Sequence, residues 1–282
     1  MSVRITLCAD DYGISPSVDI AIRDLIVRGR LNATSVMVVT SSFGRSEASA
    51  LAMLSSAAPL NSVAPRVAIG LHLTLTAPFR PLSPRFAPLV DGAFPPLAAM
   101  LRHAVLHRFA RPALAAEMAS QLQAFRDAFG RAPDFVDGHQ HVHVFPQIGE
   151  ALLAVVKEQA PHAWVRQCGR VLPFSARFAD RKGLLLDLLS HRFRRRAAAR
   201  GVRTNPAFAG TYAFTAAADF AALFPRFLDG LTDGSLVMCH PGFVDDELRQ
   251  LDPLTTLRER EYAYFAGDEF PAVLAARGVG LA

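Results

Sequence analysis

Short apolar runs alternate with helix-periodic segments along most of this chain, and that alternation restricts the fold more than any other feature. Val3 to Cys8 reads as a buried strand. Ser15-Pro16 then supplies an N-cap and a proline suited to the first helical turn. Val18, Ile22, Leu25 and Ile26 follow at helical spacing, and Gly29 closes the segment. Ser35 to Thr40 reads as a second strand, which completes a βαβ unit and with it a parallel sheet.

The pattern repeats downstream. Val67 to Thr76 alternates like a strand, and a Pro-rich loop runs from Ala77 to Pro96. Leu114, Met118, Leu122, Phe125 and Phe129 predict a helix that Gly130 and Pro133 end. Phe135 to Val144 (FVDGHQHVHV) reads as a strand, Ile148, Leu152 and Val155 as a helix, and Trp164 to Arg166 as a short strand. Ser235 to Cys239 is the last clear strand. We therefore expect one domain over residues 1–282, an irregular TIM-like (β/α) barrel or an open α/β sheet.

Composition narrows the classes. The chain is 51% hydrophobic and 20% charged, which suits a globular domain rather than a disordered one. No window approaches the ~20 apolar residues of a membrane span. The first residues enter a strand pattern directly, so no secretory signal is expected. Cys8, Cys168 and Cys239 are few and far apart, which points to a reducing, cytoplasmic compartment without disulfides. The net charge is +5, but the basic residues are scattered and lack interleaved aromatics, so no nucleic-acid partner is expected.

Residues able to bind a metal or move a proton fall where strands end. Asp10 and Asp11 follow the first strand, and His72 sits late in the third. Asp137, His139, His141 and His143 close FVDGHQHVHV, where strand alternation places the three imidazoles on one face. Arg166 ends the next strand, and His240 follows SLVMC. The C-terminal mouth of a β/α barrel is where such ends converge. A carboxylate with two imidazoles is a donor set for a catalytic divalent ion. Of two adjacent acids, one can hold the ion while the other remains free as a base.

The stretches ADDYGISPSVDIAI, RGRLNATSVMV, GLHLTLT, DFVDGHQHVHVFP and MCHPGF, with the late Arg258-Glu259-Arg260-Glu261, resemble the YdjC-like (ChbG) carbohydrate deacetylases. The resemblance implies an irregular barrel, one divalent ion, and hydrolysis of the N-acetyl group of an amino sugar. It implies Asp11, His72 and His139 as ligands, Asp10 as base, Arg166 as its orienting partner and His240 as general acid. Asp137, His141 and His143 are left as substrate-contacting or supporting residues. The donor set points to zinc, with magnesium the alternative. TNPAFAGTYAF (204–214) looks closest to the hopanoid-biosynthesis-associated branch, which implies a lipid-linked amino sugar as substrate; the family implies a homodimer.

Other readings are a different metal-dependent barrel hydrolase, a non-catalytic barrel that binds glycans or lipids, and a membrane-surface scaffold. The last rests on Leu186, Leu189, Phe193 and Ala197, one helical stripe beside Arg192, Arg195, Arg196, Arg200 and Arg203. A basic amphipathic helix of this kind suits transient contact with an anionic membrane. Phe79, Phe86, Leu89 and Phe94 in the Pro-rich loop are expected to form an apolar wall beside His72.

Overall fold

In the computed structural model, which describes residues 2–56, 66–171 and 181–282, every paired strand is parallel to its neighbours. The strands are β1 (Val3–Tyr12), β2 (Ala33–Val36), β3 (Ala68–Leu73), β4 (Phe135–Gly138), β5 (Trp164–Val165), β6 (Phe208–Ala209), β7 (Ser235–Cys239) and β8 (Val279–Leu281). Their order is β5-β4-β3-β2-β1-β7-β6, with β8 added beside the start of β1. Single bridges from Val165 to Thr204 and from Arg170 to Phe208 join the two ends of that order. The sheet thereby curls into an irregular β/α barrel.

The helices around it are α1 (Pro16–Val27), α2 (Arg45–Ser56), α3 (Leu97–Val105), α4 (Arg111–Phe129), α5 (Pro146–Gln159), α6 (Arg181–Ala199), α7 (Phe220–Phe227), α8 (Asp246–Leu251), α9 (Thr256–Ala266) and α10 (Glu269–Ala276). Helix α1 starts as the sequence dictates, with Ser15 capping the Val18 N–H. Its stripe of Val18, Ile22, Leu25 and Ile26 is buried. Helix α4 ends at Gly130, whose φ of +68° is the left-handed conformation that glycine adopts without strain.

Three expectations change. The second strand covers Ala33–Val36 rather than Ser35 to Thr40, because its hydrogen-bonded register against β1 and β3 is complete by Val36. FVDGHQHVHV is not one strand: β4 stops at Gly138, and His139–Val144 coils into a short 3₁₀ segment. Gln140 (φ +53°) and His141 (φ +60°) are left-handed within it, so the three imidazoles do not share a strand face. The aromatics of the Pro-rich loop pack together instead of lining a wall. Phe86 and Phe94 are buried with ring centroids 4.9 Å apart, and only Phe79 stacks edge-on against a candidate site residue, His139.

The stripe on α6 faces inward. Leu189, Phe193 and Ala197 are buried, with Phe193 edge-on to the His143 ring, while Arg192, Arg194 and Arg195 face solvent. Burying a Leu or Phe side chain is worth ~1.5–3 kcal/mol, which explains why the stripe covers the barrel. Among the described residues no helix is long and apolar enough to cross a membrane.

Candidate functional site

At the mouth of the barrel the acid pair breaks strand regularity. Adjacent residues of an unbroken strand point to opposite faces. Here the β1–β2 register shifts between Ala9 and Tyr12, and Asp11 takes φ +69°. Both carboxylates are buried and both act on one ring, His72. His72 Nε2 lies 3.2 Å from Asp11 Oδ1, and Nδ1 lies 2.7 Å from Asp137 Oδ1 and 2.9 Å from Ser35 Oγ.

His139 completes a cluster of three. Its Nδ1 is 2.9 Å from the same Asp11 Oδ1. One ligand atom each from Asp11, His72 and His139 lies within 4.8 Å of the others, all buried. The second Asp11 oxygen is engaged elsewhere: Arg258 Nη2 donates to Oδ2 at 2.6 Å and to Asp252 Oδ2 at 2.9 Å. Asp11 therefore presents one oxygen to the two rings.

Asp10 occupies a different surrounding. The fully buried Arg166 forks onto it, Nη1 to Oδ2 and Nη2 to Oδ1, both at 2.6 Å. Arg166 Nη2 also lies 2.6 Å from Asp137 Oδ2 and donates to Cys8 Sγ at 3.1 Å. The guanidinium thus sits among Cys8, Asp10 and Asp137, a second group of converging ligand atoms.

Electrostatics follow from these contacts. Burial works against ionised Asp10 and Asp11, but Arg166 outweighs it at Asp10, and Arg258 with His139 at Asp11. Both carboxyls are held below the ordinary carboxylate range. Burial also opposes a charged His72, yet Asp137 and Asp11 push it up to about 10. Three buried carboxylates, Asp10, Asp11 and Asp137, face two guanidinium groups here. The cluster attracts a cation, and a proton on His72 is the smallest one available.

The other two histidines of the trio turn away. His143 Nε2–H donates to the Arg166 carbonyl at 2.9 Å. Its ring fits because residue 138 is glycine; a Cβ there would stand 2.9 Å from His143 Nδ1. His141 Nδ1 lies 3.6 Å from Cys168 Sγ, and its ring is edge-on to Phe208. Burial, reinforced by neighbouring positive charge, pushes both rings down to about 3, so they are neutral at ordinary pH.

His240 leaves β7 half-buried beside the Phe214 ring, with centroids 5.4 Å apart. Its backbone N–H donates to Glu261 Oε2 at 2.6 Å. Arg258, Glu261, Tyr212 and Ser35 are site neighbours that strand-end reasoning misses. The first two lie on α9, and the Arg258–Glu261 motif is the only sequence signal for them.

Comparison with known proteins finds relatives along most of the chain. Relatives called chitooligosaccharide deacetylase from Salmonella paratyphi C and Escherichia fergusonii are each 29% identical over 257 and 252 residues, covering 86% of this chain and 82% of theirs. The solved structure of a "putative cellobiose-phosphate cleavage protein" from Enterococcus faecalis V583 shares the fold. Its TM-score is 0.75 at 21% identity, over 100% of this chain and 97% of that one. A family model described as YdjC-like protein matches residues 4–276, and the chain belongs to that family.

Proposed function

We propose that this protein is a metal-dependent hydrolase that removes the acetyl group from an N-acetylglucosamine-type amino sugar. The observation that carries this reading is the convergence of Asp11, His72 and His139 beside the Asp10–Arg166 pair and His240, in a chain whose relatives are named chitooligosaccharide deacetylases.

The residues fit a divalent ion. Asp11 Oδ1, His72 Nε2 and His139 Nδ1 face one another, and Asp137 holds the far nitrogen of His72, as a supporting carboxylate does for a ligating histidine. The excess of buried negative charge favours a cation there. Two imidazoles with one carboxylate suit zinc, with magnesium the alternative. When bound, such an ion acidifies water and polarises a carbonyl oxygen.

The chain's own residues supply the proton transfers. Asp10 accepts the proton of the attacking water. Arg166 keeps that carboxylate ionised and fixes its plane through two hydrogen bonds. The same ion pair makes Asp10 a weak base, so its contribution comes from placement more than basicity. His240 gives a proton to the departing amine, without which the tetrahedral intermediate collapses back to amide. His141 and His143 stay neutral and support the wall of the site.

One observation favours a lipid-linked form of the substrate, of the hopanoid type. Leu82, Leu89 and Val90 on the segment leaving β3, and Phe214 on the segment leaving β6, are all at least 41% exposed. Phe214 stands against His240, so one exposed apolar side chain borders the site itself.

The test is acetate release by the metal-loaded protein from a chito-oligosaccharide and from an N-acetylglucosaminyl lipid. Release from either supports deacetylation, and a faster rate on the lipid supports the narrower reading. No acetate from either substrate, with turnover of a phosphoester or a cyclic amide, identifies a different barrel hydrolase. Glycan binding without any turnover identifies a binding protein.

A further inference from the structure

The reading above leaves the buried acid beside His240, Glu261, without a role. Glu261 lies on α9, fully buried, and among the described residues its hydrogen bonds are to Tyr212 O–H and the His240 backbone N–H, with no ion pair to a basic side chain. Arg258, three residues earlier on the same helix, is engaged with Asp11 and Asp252. Burying a carboxylate is costly unless its oxygens are well used. Both are used: Oε1 accepts from Tyr212 O–H and Oε2 from the His240 backbone N–H, each at 2.6 Å.

The His240 ring needs such help. Its Nδ1 is buried with no hydrogen-bond partner among the described residues. Its placement therefore depends on its backbone and on packing against Phe214. The backbone is fixed from α9 at two points. Glu261 takes the His240 N–H, and the Gly242 N–H donates to the Arg258 carbonyl at 3.1 Å. Residue 242 must be small for this approach, since a Cβ there would meet Arg258 Cδ at 3.3 Å and Val18 Cγ2 at 3.0 Å. Tyr212, held by the other Glu261 oxygen, packs against Phe214, with ring centroids 4.2 Å apart and the rings tilted by 45°. Both supports of His240 thus return to one carboxylate.

We infer that Glu261 is the positioning residue for His240, using Tyr212 to set the ring against the leaving group. The inference rests on the proposed role of His240 as proton donor. It assigns to Glu261 no contact with substrate and no proton of its own to move.

The experiment is a double-mutant cycle on the metal-loaded full chain, with acetate release from N,N′-diacetylchitobiose and metal content as readouts. The variants are E261Q, Y212F, H240A and the E261Q/H240A pair. E261Q should lower kcat at least ~10-fold, because a misplacement of 1 Å costs up to ~10²-fold. KM should stay within ~2-fold and metal content should not change, the signature of a loss confined to the transition state. In the H240A background the same substitution should change kcat by less than ~2-fold, since residues acting as a unit are not additive. Y212F should act in the same direction with a smaller effect. An equal loss from E261Q with and without His240 overturns the inference, because Glu261 then acts on the fold at large. So does an E261Q protein with full activity or with lost metal. A wild-type protein that releases no acetate, or an H240A protein at full rate, overturns instead the reading beneath and the inference with it.

Discussion

Asp10 and Asp11 are chemically identical neighbours, and their partners make them different. Arg166 reaches Asp10 from 156 positions away, and Arg258 reaches Asp11 from 247. Arg166 binds both Asp10 oxygens, whereas Arg258 takes one Asp11 oxygen and leaves the other facing two imidazoles. Asp10→Asn should therefore retain the metal and lose at least ~10² in kcat. Asp11→Asn should lose metal and turnover together. Elemental analysis of the purified variants checks this, and equal metal in both would refute the division. Arg166→Met should destabilise the fold by roughly 3–5 kcal/mol in urea unfolding, since it strands Asp10 and Asp137 as buried charges. The acid pair, His72, His139 and Arg166 are all legible in the sequence as polar residues ending apolar runs. Arg258 and Glu261 are not, because a helix near the chain's end gives no local sign of which strand it will cover.

At the scale of elements, the junction of β1 with α1 is held by a buried acid. Asp19 accepts the Gly13 N–H, and Gly13 (φ +93°) lies two residues beyond Asp11. Burial, though opposed by the Gly13 N–H and Arg23, pushes Asp19 from an ordinary 3.8 up to about 7. The folded protein holds a proton there that the unfolded chain releases between those values. Its stability is full below the lower value and declines as pH rises to the upper one. Asp19→Asn should remove that decline, so that wild type and variant match near pH 4 and the variant is the more stable near pH 8. Urea midpoints at both pH values test this, and an unchanged pH slope in the variant would count against it. The same scale shows where sequence reading fails. HQHVH alternates like a strand, but Gly138 makes room for His143, and Gln140 and His141 turn left-handed. Period alone cannot separate a strand from a turn that happens to alternate. By contrast, α1 and α4 were readable to the residue at Ser15 and Gly130, because caps are local chemistry.

Over the whole molecule, barrel closure gathers residues from β1, β3, β5, the turn after β4, the end of β7 and helix α9 into one mouth. The alternation of strands and helices announced that architecture, down to the short β5 at Trp164–Val165; β6, only two residues long, is too short to be read in advance. Because the proposed ligands, Asp11, His72 and His139, come from β1, β3 and the turn after β4, a bound ion would tie them together only in the folded state. Removing it with a chelator should lower the melting temperature, and zinc at ~100 times its Kd should restore about 2.7 kcal/mol of stability. The most direct measurement is anomalous scattering at the zinc edge from crystals of the metal-loaded protein. The account predicts one peak with Asp11 Oδ1, His72 Nε2 and His139 Nδ1 each at ~2.0–2.2 Å. A peak among Cys8, Asp10 and Asp137, with Arg166 displaced, or no peak at the mouth at all, would contradict it.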